Sequence, residues 1–348
     1  MDLALAAADR KGFEARRVRA RKNGKLRGLG FSNTIERSAP AGLEGAEIRF
    51  DRTGSVSMFS GSINQGQGHE TAFKQIVCDR LGLDPNEVTY IQGDTDQVFF
   101  AEGTGGSRSA AFSGSAFTLA ADKVEAKAKA IAAHMLKIDT ADIKFADGVF
   151  SSQKTNQTLT IKEVAKASLE PKNLPQGMEP GLIEKAIWTG HVASYPNGVH
   201  VCELEIDEQT GEVEIVDYNV VDDVGTVINP LLLHGQIDGG IAMGIGQVLM
   251  EDIKFDEQGQ ILTGSFMDYA MPRATDLIGF HVESNPVPTK TNPLGVKGAG
   301  EAGSVGALPA VTNALVDALS VLGIKHIDLP ATPERLWRAI HEARAKET

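Results

Sequence analysis

Leu204-Glu-Ile-Asp-Glu-Gln-Thr-Gly-Glu-Val-Glu-Ile215 is an alternating apolar run, a turn from Asp207 to Gly211, and a second alternating run. Period-two alternation on both sides of an Asp-to-Gly turn is the signature of a β-hairpin. The pattern returns in Ile48-Arg-Phe-Asp-Arg-Thr-Gly-Ser-Val-Ser-Met-Phe59 and in Ile253-Lys-Phe-Asp-Glu-Gln-Gly-Gln-Ile-Leu262. Three hairpins predict substantial antiparallel sheet. Between them the apolar spacing changes to three and four: 69–81 places Phe73, Ile76, Val77 and Leu81 on one helical face, and helices are also expected over 110–136, 230–250 and 307–322. Thr332-Pro333-Glu334-Arg335 supplies an N-cap and a first-turn proline for a last short helix through Ile340.

Mixed hairpins and helices define an α+β chain. The segment 171–180 holds three prolines and a glycine and interrupts every period. It divides the chain into two expected lobes of mixed sheet with helices packed on them: a lead-in over 1–27, a first lobe over 28–172, a connector over 173–187 and a second lobe over 188–348. Residues 1–21 read as the end of a helix and an entry strand.

Composition removes several classes of function. With 348 residues, 42% hydrophobic and 23% charged, the chain can bury a sizeable core. Its net charge of -12 argues against a nucleic-acid surface, and the single basic cluster, from Arg16 to Arg27, reads as a solvated face. Cys78 and Cys202 stand in apolar contexts without CxxC spacing, as buried thiols in a reducing compartment would. No apolar stretch is read as reaching the roughly 18 residues of a membrane span, and the first thirty residues lack a signal-peptide core. The expectation is a cytoplasmic protein with no membrane span.

Glycine then points to the site. Asn64-Gln-Gly-Gln-Gly-His-Glu-Thr71, Gly103-Thr-Gly-Gly-Ser-Arg-Ser109, Leu233-His-Gly-Gln-Ile-Asp-Gly-Gly240 and Gly295-Val-Lys-Gly-Ala-Gly-Glu-Ala-Gly303 each combine glycines with polar side chains beside an expected helix. Helix N-termini carry unpaired N–H groups and partial positive charge, so such loops suit phosphate or a polar heterocycle. Singly each is explained by a tight turn or close helix contact. Together they describe a large polar cofactor gripped from several sides. In the last loop a lone carboxylate, Glu301, has the layout of a base beside that cofactor. Gly298-Ala-Gly300-Glu-Ala-Gly303 matches GxGxxG, yet Pro286-Val-Pro-Thr-Lys-Thr-Asn-Pro293 before it is no buried parallel strand, so a dinucleotide fold is rejected. Glycines 235, 239, 240, 244 and 246 inside the 230–250 helix call for a close neighbour, either another helix or a ligand held by Gln236.

At these residues the chain resembles the molybdenum hydroxylases, the family of xanthine dehydrogenase, aldehyde oxidase and aerobic carbon monoxide dehydrogenase, in the C-terminal part of the molybdopterin-binding large subunit. GQGHET at 66–71, GTGGSRS at 103–109, INP at 228–230 followed by GQ at 235–236, GVKGAGEAG at 295–303 and LPATPERLW at 329–337 look like its motifs in family order, over about residues 25–340. In GTGGSRS the likeness is to the carbon monoxide dehydrogenase-like branch. The resemblance implies that Gly66, Gln67 and Gly68 contact the pterin, that Gly106, Ser107, Arg108 and Ser109 bind its pterin or phosphate portion, and that Gln236 hydrogen-bonds the cofactor. Lys297 looks like a family position too, with an ion pair as its plain alternative. It implies molybdopterin, in the cytosine dinucleotide form, with molybdenum held by no protein side chain. Glu301 becomes the base that deprotonates the attacking hydroxyl, provided partial burial raises its pKa toward neutrality. The substrate would be a small molecule and water the oxygen source. FAD and [2Fe–2S] are expected on flavin and iron–sulfur partner subunits, since two cysteines cannot ligate a cluster that needs four. The family's large subunit has a further N-terminal half without counterpart here. The chain is therefore expected to work with a partner supplying that half, or to be an inactive fragment or scaffold of such a complex.

Overall fold

The structure is a computed structural model, and it describes residues 1–346; the last two residues of the expected second lobe lie outside these. The chain opens with α1 (Asp2–Ala7), α2 (Phe13–Lys22), β1 (Lys25–Ile35), β2 (Gly42–Phe50), β3 (Val56–Ser60), α3 (His69–Leu81), β4 (Val88–Gln92) and α4 (Ser109–Leu136). A small region follows with β5 (Lys144–Ala146), β6 (Val149–Ser151), β7 (Thr158–Thr160) and α5 (Ile161–Ala167). The rest is β8 (Ile183–Gly190), β9 (Asn197–Asp207), β10 (Val213–Asp223), α6 (Pro230–Leu249), β11 (His281–Ser284), α7 (Ala302–Leu319) and α8 (Pro333–Ala345).

Two four-stranded mixed sheets, ordered β4-β3-β2-β8 and β1-β9-β10-β11, carry the fold beside a three-stranded β5-β6-β7 sheet. α4 packs on β2 and β8, burying Phe117, Val124 and Ile131 completely. α7 packs on β1 and β9 with α6 alongside, around fully buried Leu204, Tyr218, Ile241, Val311 and Leu315. β1 meets α7 backbone to backbone: a Cβ at Gly28 or Gly30 would overlap the carbonyl oxygens of Ala314 and Ala310. This layer derives its stability from the apolar area buried between sheet and helices rather than from helix propensity.

The sheets exchange strands across the expected boundaries. β1, placed in the first lobe by sequence, pairs along its whole length with β9 of the second sheet, while β8, most of it inside the expected connector, closes the first sheet against β2. Proline punctuation marks a chain break in regularity, and strand pairing is decided by partners far away in sequence. Residues 1–22 form two short helices with no entry strand; Phe13 is buried against Leu29, Val199 and Val201.

The basic cluster is a solvated face only in part: Arg19, Arg21 and Lys22 are exposed, while Arg16, Arg17 and Arg27 turn to carboxylates. Glu203, with 1% of its side chain exposed, accepts from Arg16 Nη2 at 2.7 Å and from Arg27 Nε at 2.5 Å, and Arg17 pairs with Asp317. These arginines tie α2 and β1 to β9 and α7.

The three Asp-to-Gly turns all form. Asp51, Asp207 and Asp256 each accept backbone N–H groups within their turns, for example Thr53 at 2.7 Å, Gln209 at 2.8 Å and Gln260 at 2.8 Å. Only the first two open into strand pairs, β2–β3 and β9–β10. The third is one isolated bridge, Phe255 to Ile261, with Ile253, Phe255, Ile261 and Leu262 all more than half exposed. An isolated hairpin is marginal in water, and among the described residues no neighbouring strand extends this one.

The α7 helix begins at Ala302, five residues earlier than the sequence reading placed it, and contains Pro309. With the turn that follows, 302–322 is long and apolar enough to cross a membrane by length and composition, which corrects the sequence reading. Its packing against β1, β9 and α6 makes it a core helix here. Cys78 and Cys202 are both buried and unpaired.

Candidate functional site

The loops converge on one cavity of about 550 Å³. It is lined by Gly66, Gln67 and His69 at the start of α3, by Thr104 to Ser109 ahead of α4, by Val224 to Asn229 between β10 and α6, by Leu232, Leu233 and Gln236 on α6, and by Lys297, Gly300 and Glu301 ahead of α7. Four helix N-termini, those of α3, α4, α6 and α7, therefore lie at its wall, where partial positive charge favours an anionic guest.

Glu301 occupies the N-cap position of α7, makes no capping bond with its side chain, and is exposed. The Ser107 hydroxyl donates to its Oε2 at 3.2 Å, joining two segments 194 residues apart. Ser107 itself has φ +51, a left-handed conformation that a serine holds only under constraint. The constraint is visible: Gly298 and Gly300 press against it, and Ser38 Oγ accepts from Gly298 N at 3.2 Å. The partial burial expected for Glu301 is not found: its side chain is exposed, and among the described residues nothing covers it.

Other expected site residues reach the cavity with their side chains already engaged. Gln67 binds within its own loop, accepting from Gln65 N and donating to Ile63 O. Gln236 Nε2 donates to Gly300 O at 2.6 Å, so it fixes the backbone next to Glu301. Arg108 stacks its guanidinium 4.4 Å over the Phe112 ring, donates to Glu102 Oε2 at 2.6 Å and to Leu43 O at 2.5 Å, and is only 12% exposed. Its charge is committed inside the protein. Lys297 pairs with Asp223. Burial pulls the Asp223 carboxyl up, but the Lys297 hydrogen bond and the N–H groups of Val287 and Gly225 outweigh it and hold the group below its usual range. Ser109 is buried at the first turn of α4. Gly68 does not line the cavity; it is the left-handed N-cap of α3, set against Leu232.

Of the helix glycines, Gly240 and Gly244 face α7 at Gly303 to Leu308, so a neighbouring helix explains them. Gly66, Gly103, Gly105 and Gly235 have nothing within 4 Å of where a Cβ would stand. Gly66 and Gly105 line the cavity, which leaves bare backbone for a cofactor to lie against and fits a molybdopterin. Among the described residues no group of three His, Cys, Asp or Glu side chains is placed to hold a metal ion.

Three residues to which the sequence reading gave no role complete the site. Asn64 Oδ1 accepts from Gly66 N at 3.3 Å and Gly68 N at 3.0 Å and so shapes the first loop. Glu44, fully buried on β2, accepts from Gly103 N at 3.2 Å; burial raises its carboxyl above the ordinary range against the pull of Arg108. His69 is buried, stacks on Phe73 at 5.1 Å, and burial pushes its ring pKa down to about 4. A carboxylate inside the apolar alternation of Gly42-Leu-Glu-Gly-Ala-Glu-Ile48 is the sequence sign that could have exposed Glu44.

Fold and cavity together define a cofactor-binding module whose cleft is walled by glycine loops and helix N-termini. Residues 3–278 match the family described as the molybdopterin cofactor-binding domain, and the chain belongs to that family. It is 37% identical over 303 residues to the carbon monoxide dehydrogenase large chain of Hydrogenophaga pseudoflava, covering 86% of this chain and 37% of that one. It is 36% identical over 345 residues to the nicotine 6-hydroxylase large subunit of Paenarthrobacter nicotinovorans, covering 95% and 42%. Among solved structures, quinoline 2-oxidoreductase from Pseudomonas putida 86 superposes with a TM-score of 0.90 at 32% identity, over 98% of this chain and 45% of that one. The Cu,Mo-CO dehydrogenase superposes at 0.89, also at 32% identity, over 99% and 46%. The chain thus spans less than half the length of these relatives.

Proposed function

We propose that this chain is the cofactor-holding component of a molybdenum-dependent oxidoreductase that oxidises a small substrate with water as oxygen source, Glu301 acting as the base. The observation that carries this reading is the convergence of Glu301 with bare glycine backbone on one large cavity. Gly66, Gly106, Ser107 and Ser109 would hold the pterin through backbone and hydroxyl groups, with the cytosine dinucleotide running along the helix N-termini. When bound, the molybdopterin would supply the two-electron redox centre, with no side chain of this protein as metal ligand. Gln236 and Ser107 fix Glu301 from two sides, so that its carboxylate receives the proton of the attacking hydroxyl without a search for geometry. Lys297 keeps the loop ahead of Glu301 tied to β10 through Asp223.

Glu301 is exposed here, so the water exclusion that a working base needs would come from protein corresponding to the rest of the relatives' length, whether joined to this chain or on a partner. Iron–sulfur and flavin subunits would carry electrons onward, in a cytoplasmic complex that keeps Cys78 and Cys202 reduced. In the reconstituted enzyme, Glu301→Gln should leave molybdenum content near normal and lower kcat by roughly 10²–10⁴-fold. Full turnover in that variant would end the assignment. Molybdenum absent from both the complex and the isolated chain would instead favour a scaffold role.

A further inference from the structure

We propose that Asp223 is a positioning residue that cancels the charge of Lys297, so that Glu301 is left as the one uncompensated charge among the residues lining the cavity. Among the described residues at that wall, the ionisable side chains are His69, Arg108, Lys297 and Glu301. His69 is neutral at physiological pH, because burial pushes its ring pKa down to about 4. Arg108 is paired with Glu102 and stands 3.7 Å from Glu44. Lys297 is paired with Asp223. Glu301 accepts from the Ser107 hydroxyl and forms no ion pair among the described residues.

Asp223 does not line the cavity; it stands behind the wall as the last residue of β10. Successive side chains of a strand point to opposite faces. Asp222 accordingly turns to His200, whose Nε2 is 3.6 Å from its Oδ1, and Asp223 turns to the Glu301 loop. Asp223 Oδ1 accepts from Gly225 N at 2.9 Å and from Val287 N at 3.0 Å, and Asn197 Nδ2 donates to its Oδ2 at 3.4 Å. These donors come from the loop after β10, the segment after β11 and the start of β9, so the carboxylate is held in place independently of Lys297. The Lys297 main chain is bound to the same stretch: its N–H donates to Val224 O at 2.8 Å, and Thr226 N donates to Gly295 O at 2.9 Å. Both side chains of the pair are 11% exposed. At that burial an ammonium without a counter-charge is costly, and the fixed carboxylate removes the cost.

Without Asp223, the Lys297 ammonium would act uncompensated in the loop that carries Glu301. A nearby cation favours the ionised form of a carboxyl and so weakens it as a proton acceptor. It would also offer an anionic guest a charge to settle on beside Glu301. The other groups around Glu301 are Ser107 and Arg108 ahead of α4, His69 on α3, Gln236 on α6, and Glu36 after β1, a half-buried carboxyl raised by burial and, less, by the Glu301 charge. None of them changes when the Asp223–Lys297 pair is altered. The consequence for catalysis rests on Glu301 being the base; the charge cancellation does not.

The two parts separate in measurement. In pH-difference infrared spectra of the full 348-residue chain at low salt, subtracting from each protein its Glu301→Gln counterpart isolates the Glu301 carboxyl. Its midpoint should fall by roughly 0.3 pH unit or more in Asp223→Asn, rise by a similar amount in Lys297→Met, and return close to the native value in the double variant. Asparagine keeps an oxygen for Gly225 N and Val287 N, so Asp223→Asn removes charge with little change of shape. Midpoints that stay in place, or that move the same way in both single variants, overturn the proposal; the second pattern is what a tie of structure without charge would give. Because Lys297→Met probes the pair from the other side, a misfolded Asp223 variant does not rescue it. In the assembled enzyme the acid limb of the kcat profile should follow, to lower pH in Asp223→Asn and to higher pH in Lys297→Met. An acid limb that stays in place while the infrared midpoints move refutes Glu301 as the base and leaves the charge cancellation standing.

Discussion

Gly298, Gly300 and Gly303, in the loop that carries Glu301, are pressed against protein, whereas Gly66, Gly103 and Gly105, in the two companion loops, meet nothing within 4 Å. The first group lets Ser107 and α6 approach; the second leaves backbone uncovered at or beside the cavity. One residue type thus does two jobs at one site. The Glu301 loop is built by internal packing, which gives its carboxylate a fixed position, whereas at Gly66, Gly103 and Gly105 the companion loops leave main chain free of protein contact. The difference explains why the carboxylate's surroundings are hydrogen-bonded while much of the rest of the wall is plain main chain.

The sharpest way to break this contrast is Gly298→Ala. A Cβ there would overlap the Ser107 carbonyl oxygen, and the contact is to backbone, which cannot rotate away. Overpacking against a rigid neighbour with no relief is expected to cost more than about 3 kcal/mol in urea unfolding. A native-like midpoint would mean that the Glu301 loop is as open as its companions.

A second test concerns what lies under the open loops. His69 follows Gly68 and starts α3, buried on Phe73, with a ring pKa pushed down to about 4 by burial. The folded pKa is below the unfolded value of about 6.5, so as pH falls through 6.5 the unfolded chain takes up a proton that the folded one refuses. Stability is lost progressively from about pH 6.5 down to about 4 and no further below. By pH 5 the loss should be on the order of 2 kcal/mol relative to pH 8. Urea midpoints against pH, compared between the native protein and His69→Gln, should show this component vanish in the variant. Parallel curves would mean that the base of the open loop is as solvated as its lip.

How much of this was legible beforehand follows from how local each signal is. The three Asp-to-Gly turns were readable because Asp51, Asp207 and Asp256 each bond within a few residues of themselves. Whether a turn grows into sheet depends on a neighbour such as β8 or β1, which lies far along the chain, and the turn at Asp256 has none among the described residues. The glycine loops announced a site by composition, and they do converge. Which glycines face protein could not be read, because Ser107 and Gly298 stand in loops at opposite ends of the sequence and meet only on folding. Arg108 looked free for an anion; the carboxylates that occupy and flank it, Glu102 and Glu44, carry no motif.

The smallest effect on stability should come from Gly105→Ala, and it tests the open loops most directly. Gly105 lines the cavity, its φ lies outside the left-handed region, and a Cβ there meets no atom within 4 Å. The folded chain has no reason to object, and urea unfolding should agree with the native protein to within about 0.5 kcal/mol. A cofactor lying against that backbone would be displaced by the added methyl, so molybdenum and pterin content of the assembled complex should fall while the fold stays intact. Equal loss in Gly298→Ala and Gly105→Ala, by both readouts, would erase the distinction between a loop packed on its own protein and a loop kept bare for a guest. Loss of loading alone in Gly105→Ala would place the guest against this stretch of main chain, since no protein atom stands there to account for it.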